Sequence, residues 1–148
     1  MNNKNSEISV VRPPLVSVIV IVNSIGWITT LGIWIYFHLT GKIPSVDSMN
    51  SYWERAYIGI VHGFTVADAI WSNILLLASV IGLWKMKSWG WTAALMANSI
   101  WFYSMTVTFV RDFHTMFTTG TFFFLFFAFF ALFSTAYLWI KRDLFWME

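Results

Sequence analysis

Asp68 stands inside "GIVHGFTVADAIWSN", residues 59–73, among apolar and small residues, with His62 six positions before it. A carboxylate titrates, accepts up to four hydrogen bonds and attracts cations; an imidazole a turn and a half away donates, accepts or carries a proton. Both side chains are costly in an apolar setting. An ionised aspartate at the centre of a membrane helix costs at least about 2.5–3.5 kcal/mol and marks a functional site by default. Asp68 therefore either carries a proton or is held by donors, and it must face protein rather than lipid.

The helix around it explains the placement. At 100° per residue, Thr65, Asp68, Ser72 and Ser79 fall within about 40° of Glu54, with His62 at about 80°. Gly59, Gly63 and Ala67 occupy the opposite face, a GxxxG pattern extended by one small residue, which lets helix backbones approach closely in lipid. These three are expected at a helix-packing face of the bundle or at a homodimer seam. Asp68 lies eleven residues into its apolar run, about 17 Å deep and near the midplane of a ~30 Å hydrocarbon core. Matching depth along the neighbouring helices brings in Asn98 and Tyr103, with Asn23 and Thr30 bracketing the middle of the first helix. The expected pocket is Asp68 with His62, Asn98, Tyr103, Thr65 and Ser72.

All three histidines, His38, His62 and His114, fall toward one end of the bundle, as do Glu54 and Asp112. These five are a weak set of metal candidates, since no two histidines have the i, i+4 spacing that presets ligands on one helix face. Bis-histidine haem ligation lacks a second buried histidine. Arg111 and Asp112 are expected to pair with each other, with Arg111 too far along its helix to reach Asp68. No phosphate-binding loop, HExxH, GxSxG, CxxC or paired-carboxylate motif is present, so the residues favour a binding protein over an enzyme. The cofactor stays open.

The composition says what positions these residues. Of 148 residues, 58% are hydrophobic, 20% aromatic and only 11% charged, against about 25% charge in soluble domains. The net charge of +2 gives a nucleic-acid partner no electrostatic support. With no cysteine, disulfides, thiolate metal sites and thiol redox chemistry are excluded.

Four apolar runs are long enough to span a bilayer, at 15–39, 57–84, 90–110 and 116–140. The expected fold is all-α: an integral membrane four-helix bundle of antiparallel, up-down helices, forming one transmembrane domain over residues 1–148. No internal repeat and no dividing linker is read. Asp47 or Ser48 is the expected cap of the second helix. Six of the nine Lys and Arg side chains lie in the two tails and the second connection, which predicts both termini on the cytoplasmic side. Trp53, Trp84, Trp89, Trp91, Trp139 and Trp146 are placed for an interfacial belt. The phenylalanine-rich run at 122–130 is read as lipid-facing, with Ala128, Ala131 and Thr135 turned to the bundle; an aromatic ligand wall shared with Trp71, Trp101 and Tyr103 is the sharper alternative.

The reading that follows is a membrane protein binding a small molecule, lipid or proton, and translocating it if paired as a dimer, through a pocket that opens outward around Asp68. A hydrophobic small molecule is the expected partner. Two rivals use the same residues: an accessory subunit with Asp68 as a latch, and an intramembrane enzyme built on the histidine and carboxylate set.

Overall fold

The computed structural model describes residues 12–41, 50–114, 116–117 and 119–146. Four helices run up and down: α1, Pro14–Thr40; α2, Tyr52–Trp84; α3, Ser88–Phe113; and α4, Thr119–Ile140. A 3-10 turn, Arg142–Phe145, follows, and there is no strand among the described residues. All four helices are long and apolar enough to cross a membrane, so the chain has the form of a multi-pass membrane protein, the backbone groups of the helix interiors being satisfied within each helix.

Helix ends follow local chemistry. Pro13 and Pro14 begin α1, where a missing N–H costs nothing, and Gly41 ends it in the left-handed region at φ 59°. The start of α2 differs from expectation. Asp47 and Ser48 lie outside the described residues, and Ser51 caps α2 in a complete capping box: its hydroxyl accepts from the Glu54 N–H at 3.1 Å while Glu54 accepts from the Ser51 N–H at 3.3 Å. The helix is thus five residues longer than its apolar run.

The turn from α2 into α3 is a Schellman motif. Lys87 N–H bonds Gly82 C=O at 2.9 Å and Met86 N–H bonds Leu83 C=O at 3.1 Å. Met86 occupies the left-handed position, φ 54°, that glycine usually fills. Beside the turn, Gly82 and Gly90 touch backbone to backbone, and a Cβ on either would collide with the other's main chain. This is the close approach that Gly59 and Gly63 were expected to supply. A Cβ on either of those two would meet nothing within 4 Å among the described residues, and Ala67 is exposed; the small-residue face of α2 points away from the bundle.

Packing is concentrated at the end holding this turn. Val16, Ile19 and Val20 of α1 close on Leu83, Ala94, Leu138 and Phe145, the 3-10 turn folding Phe145 in from below. A second layer joins Leu76, Ala97, Trp101, Phe127 and Ala131. Beyond it α1 has no buried residue after Gly26, and α2 has none before Ala69.

The two hairpins α1–α2 and α3–α4 share a pattern not apparent as a sequence repeat. Asn23 donates to Ser79 Oγ at 3.1 Å, and Asn98 donates to Ser134 Oγ at 2.8 Å. Each serine in turn donates to the carbonyl three residues back, Leu76 or Ala131. Ser24 and Ser99, each following its asparagine, donate to Val20 and Leu95 four residues back. Both hairpins read N-S-I on the first helix and S-x-x-x-L-W on the second. A donor–acceptor chain buried at the same relative place ties each pair.

The aromatic residues sort by this packing. Phe122, Phe126 and Phe129 face outward, as do Trp71 and five of the six belt tryptophans. Trp91 departs from the belt: its indole N–H donates at 2.8 Å to the Leu138 carbonyl, in the last turn of α4 where no helical N–H reaches it.

Gly82→Ala is expected to destabilise the protein by at least about 3 kcal/mol, the upper range for overpacking, since backbone rather than a flexible side chain blocks the methyl. Gly63→Leu is expected to leave the bundle's melting unchanged. Thermal unfolding followed by circular dichroism in detergent compares the two.

Candidate functional site

Asp68 is the central residue of α2, with sixteen residues on either side. It accepts one hydrogen bond, from Ser104 Oγ of α3 at 3.0 Å, and Ser104 is its only hydrogen-bonding partner among the described residues. Half-buried, it lies on the wall of a cleft of about 460 Å³ between α1, α2 and α3, with Phe124 of α4 also contributing. That volume suits a drug-sized molecule.

The cleft begins where the packing stops. Thr30, Ile33, Trp34 and Phe37 form the α1 wall, beyond the last buried residue of that helix. Phe64, one turn before Asp68 on α2, meets Tyr103 of α3 with ring centroids 6.1 Å apart. This aromatic contact therefore flanks the Asp68–Ser104 pair, Phe64 four residues before Asp68 and Tyr103 next to Ser104. Thr65 is on the wall, its hydroxyl proton given to the Val61 carbonyl at 2.8 Å.

Arg111 also lines the cleft, seven residues and so about 10 Å further along α3 than Ser104. Its Nε donates to Asp112 at 2.6 Å, the pairing expected from sequence. Asp112 is buried and also accepts from Thr121 in the first turn of α4, where a helix N-terminus favours negative charge. The α3–α4 hairpin is thus fastened at this end by Asp112 and at mid-depth by Asn98, which donates to both Ser134 and Thr135. It forms one wall of the cleft, and α1 and α2 form the rest.

Of the expected pocket, the structure brings together Asp68, Thr65 and Tyr103. Asn98 faces α4 and is spent on the interhelical tie. Ser72 is buried below the cleft, with Ala69 between it and the opening. His62 is not on the cleft wall; its Nε2 is buried without a hydrogen-bond partner among the described residues. Ser104 and Arg111 were missed. Depth matching reached Tyr103, but the face of α3 turned to Asp68 carries its neighbour Ser104.

The metal candidates do not converge: no group of three His, Cys, Asp or Glu stands together among the described residues. Glu54 is taken up in the α2 cap, His38 stacks on Trp34 at 5.7 Å, and His114 ends α3 with its ring edge-on to Phe113. The aromatic ligand wall takes a different form from that expected. Tyr103 and Phe124 line the cleft, Trp101 is instead buried against Phe127 at 5.0 Å, and Trp71 faces outward.

The parallel hairpins give Asp68 its context. It precedes Ser79 by eleven residues; eleven before Ser134 is Phe123, whose ring packs on Phe127 at 4.8 Å. Ser104 follows Asn98 by six; six after Asn23 is Thr29. The same hairpin plan is therefore completed once with a carboxylate and once without. No protein family model matches the chain, and no curated protein or solved structure is similar to it.

Asn98→Ala is expected to cost about 1–2 kcal/mol, because it removes two interhelical hydrogen bonds and leaves the oxygens of Ser134 and Thr135 without the donor they accept from. Ser104→Ala is expected to cost under about 1 kcal/mol, as the cleft lets another donor reach Asp68. Chemical unfolding in mixed micelles distinguishes them.

Proposed function

We propose that this chain is a membrane binding protein that takes a small, largely apolar molecule into the α1–α2–α3 cleft and holds it through Asp68. One observation carries the reading. The structural work of tying helices is done in both hairpins by the Asn–Ser chains, and the α3–α4 hairpin packs with Phe123 where α1–α2 has Asp68. A latch role for Asp68 therefore has no counterpart to explain, whereas a carboxylate beside an open cleft has a use: its free oxygen accepts a proton or hydrogen bond from an occupant. Tyr103 and Thr65 flank that occupant. Asn98, expected in the pocket, instead ties α3 to α4 behind it.

The closed half supports binding over passage in this conformation, since two packed layers stand between the cleft and the far end. In a translocating version of the reading, a second copy joins through the exposed Gly59, Gly63 and Ala67 face of α2.

Native mass spectrometry of protein released from mild detergent is the test, comparing wild type with Asp68→Asn. The expected result is a non-protein mass retained by the wild type and lost from a variant that stays folded. Identical spectra, with no adduct in either, would contradict the proposal and favour an accessory subunit.

A further inference from the structure

We infer that the occupant of the cleft is a hydrophobic organic cation, a substituted ammonium or phosphonium; this rests on the reading of the cleft as a binding site. The charges facing Asp68 are few. From α1 the cleft receives Thr30, Ile33, Trp34 and Phe37, none of them charged, and from α4 only Phe124. From α2 come Asp68 itself and the neutral Tyr57 and Thr65; from α3 come Tyr103, Ser104, Thr108 and Arg111. Arg111 is the one cationic side chain among the described lining residues, and it is bonded to the buried carboxylate of Asp112. The cationic group of the lining is therefore paired, and the charge left on the cleft wall is that of Asp68, at the centre of α2 and met by a single hydroxyl donor.

A carboxylate so placed gains most from a counter-charge that brings its own apolar surface. The walls favour the same chemistry. Trp34, Phe37, Tyr57, Phe64, Tyr103 and Phe124 line the cleft, and aromatic faces attract cations, most strongly where water is excluded. A strongly hydrated inorganic ion would find too few oxygen ligands here. An anion would meet Asp68 and the negative ring faces. A bulky cation with delocalised or shielded charge fills the apolar volume and neutralises the carboxylate together.

The test is equilibrium dialysis of three labelled probes against the full chain in detergent, with protein-free micelles as the reference. Tetraphenylphosphonium and tetraphenylborate share shape and differ in charge sign, and triphenylphosphine oxide is neutral. Tetraphenylphosphonium is expected to bind saturably, one per chain, and at least tenfold tighter than tetraphenylborate. Asp68→Asn is expected to weaken it about tenfold and abolish the preference, while Asp68→Glu keeps it; circular dichroism checks that each variant is folded. If Asp68→Asn does not fold, the preference in wild type and Asp68→Glu carries the test. Equal saturable binding of all three probes would overturn the cation inference while leaving the binding site standing. No saturable phosphonium binding by folded wild type would also overturn it, and the mass-spectrometric adduct then decides the binding reading separately.

Discussion

The backbone contact between Gly82 and Gly90 governs the shape of this bundle. It lets α2 and α3 meet at one end without side chains between them, around a turn so tight that Met86 takes a left-handed conformation. Lipid supplies no hydrophobic drive for helices to associate, so contact of this kind and interhelical hydrogen bonds must do so. Asn23–Ser79 and Asn98–Ser134 add the second element, one tie per hairpin. Past them, α3 and α4 stay joined through Asp112 and Thr121, whereas α1 buries nothing after Gly26 and α2 nothing before Ala69. The cleft is what remains when one hairpin is fastened along its length and the other only over half of it.

Asp68 gains its meaning from that asymmetry. In a bundle packed throughout, a carboxylate at the centre of a long apolar helix would need a full set of donors. Here it has one, Ser104, and an open space beside it. The comparison between hairpins separates what the fold requires from what it merely carries: asparagine and serine recur at matched positions, the carboxylate does not.

The long apolar runs made the four helices and their order legible in the sequence, since chain length against bilayer thickness leaves little choice. The price of a buried charge made Asp68 legible too. Rotation about each helix axis was not. Depth alone put Asn98 beside Asp68, although its amide turns to α4, and it picked Tyr103 but not the adjacent Ser104. The GxxxG pattern at Gly59 and Gly63 describes a smooth surface without saying what lies against it, while Gly82 and Gly90, in different helices, form no local motif. Arg111 was set aside on distance, yet a cleft open along α3 includes it. The repeated hairpin plan escaped because its matches are two short strings, spaced 75 residues apart on the first helices and 55 on the second, so no single period exposes them.

The central claim is that the bundle is open around Asp68 and sealed beyond it. The absence of cysteine makes this directly measurable, because single cysteines can be introduced without background. Thr65→Cys, Ser104→Cys and Thr108→Cys on the cleft, and Ser79→Cys, Ala94→Cys and Ser134→Cys in the packed half, would be treated in proteoliposomes with a small membrane-impermeant thiosulfonate, with detergent-permeabilised vesicles as control. The account predicts rapid modification of the first three and protection of the last three. Protection of all six, or modification of the packed-half positions at comparable rates, would contradict it.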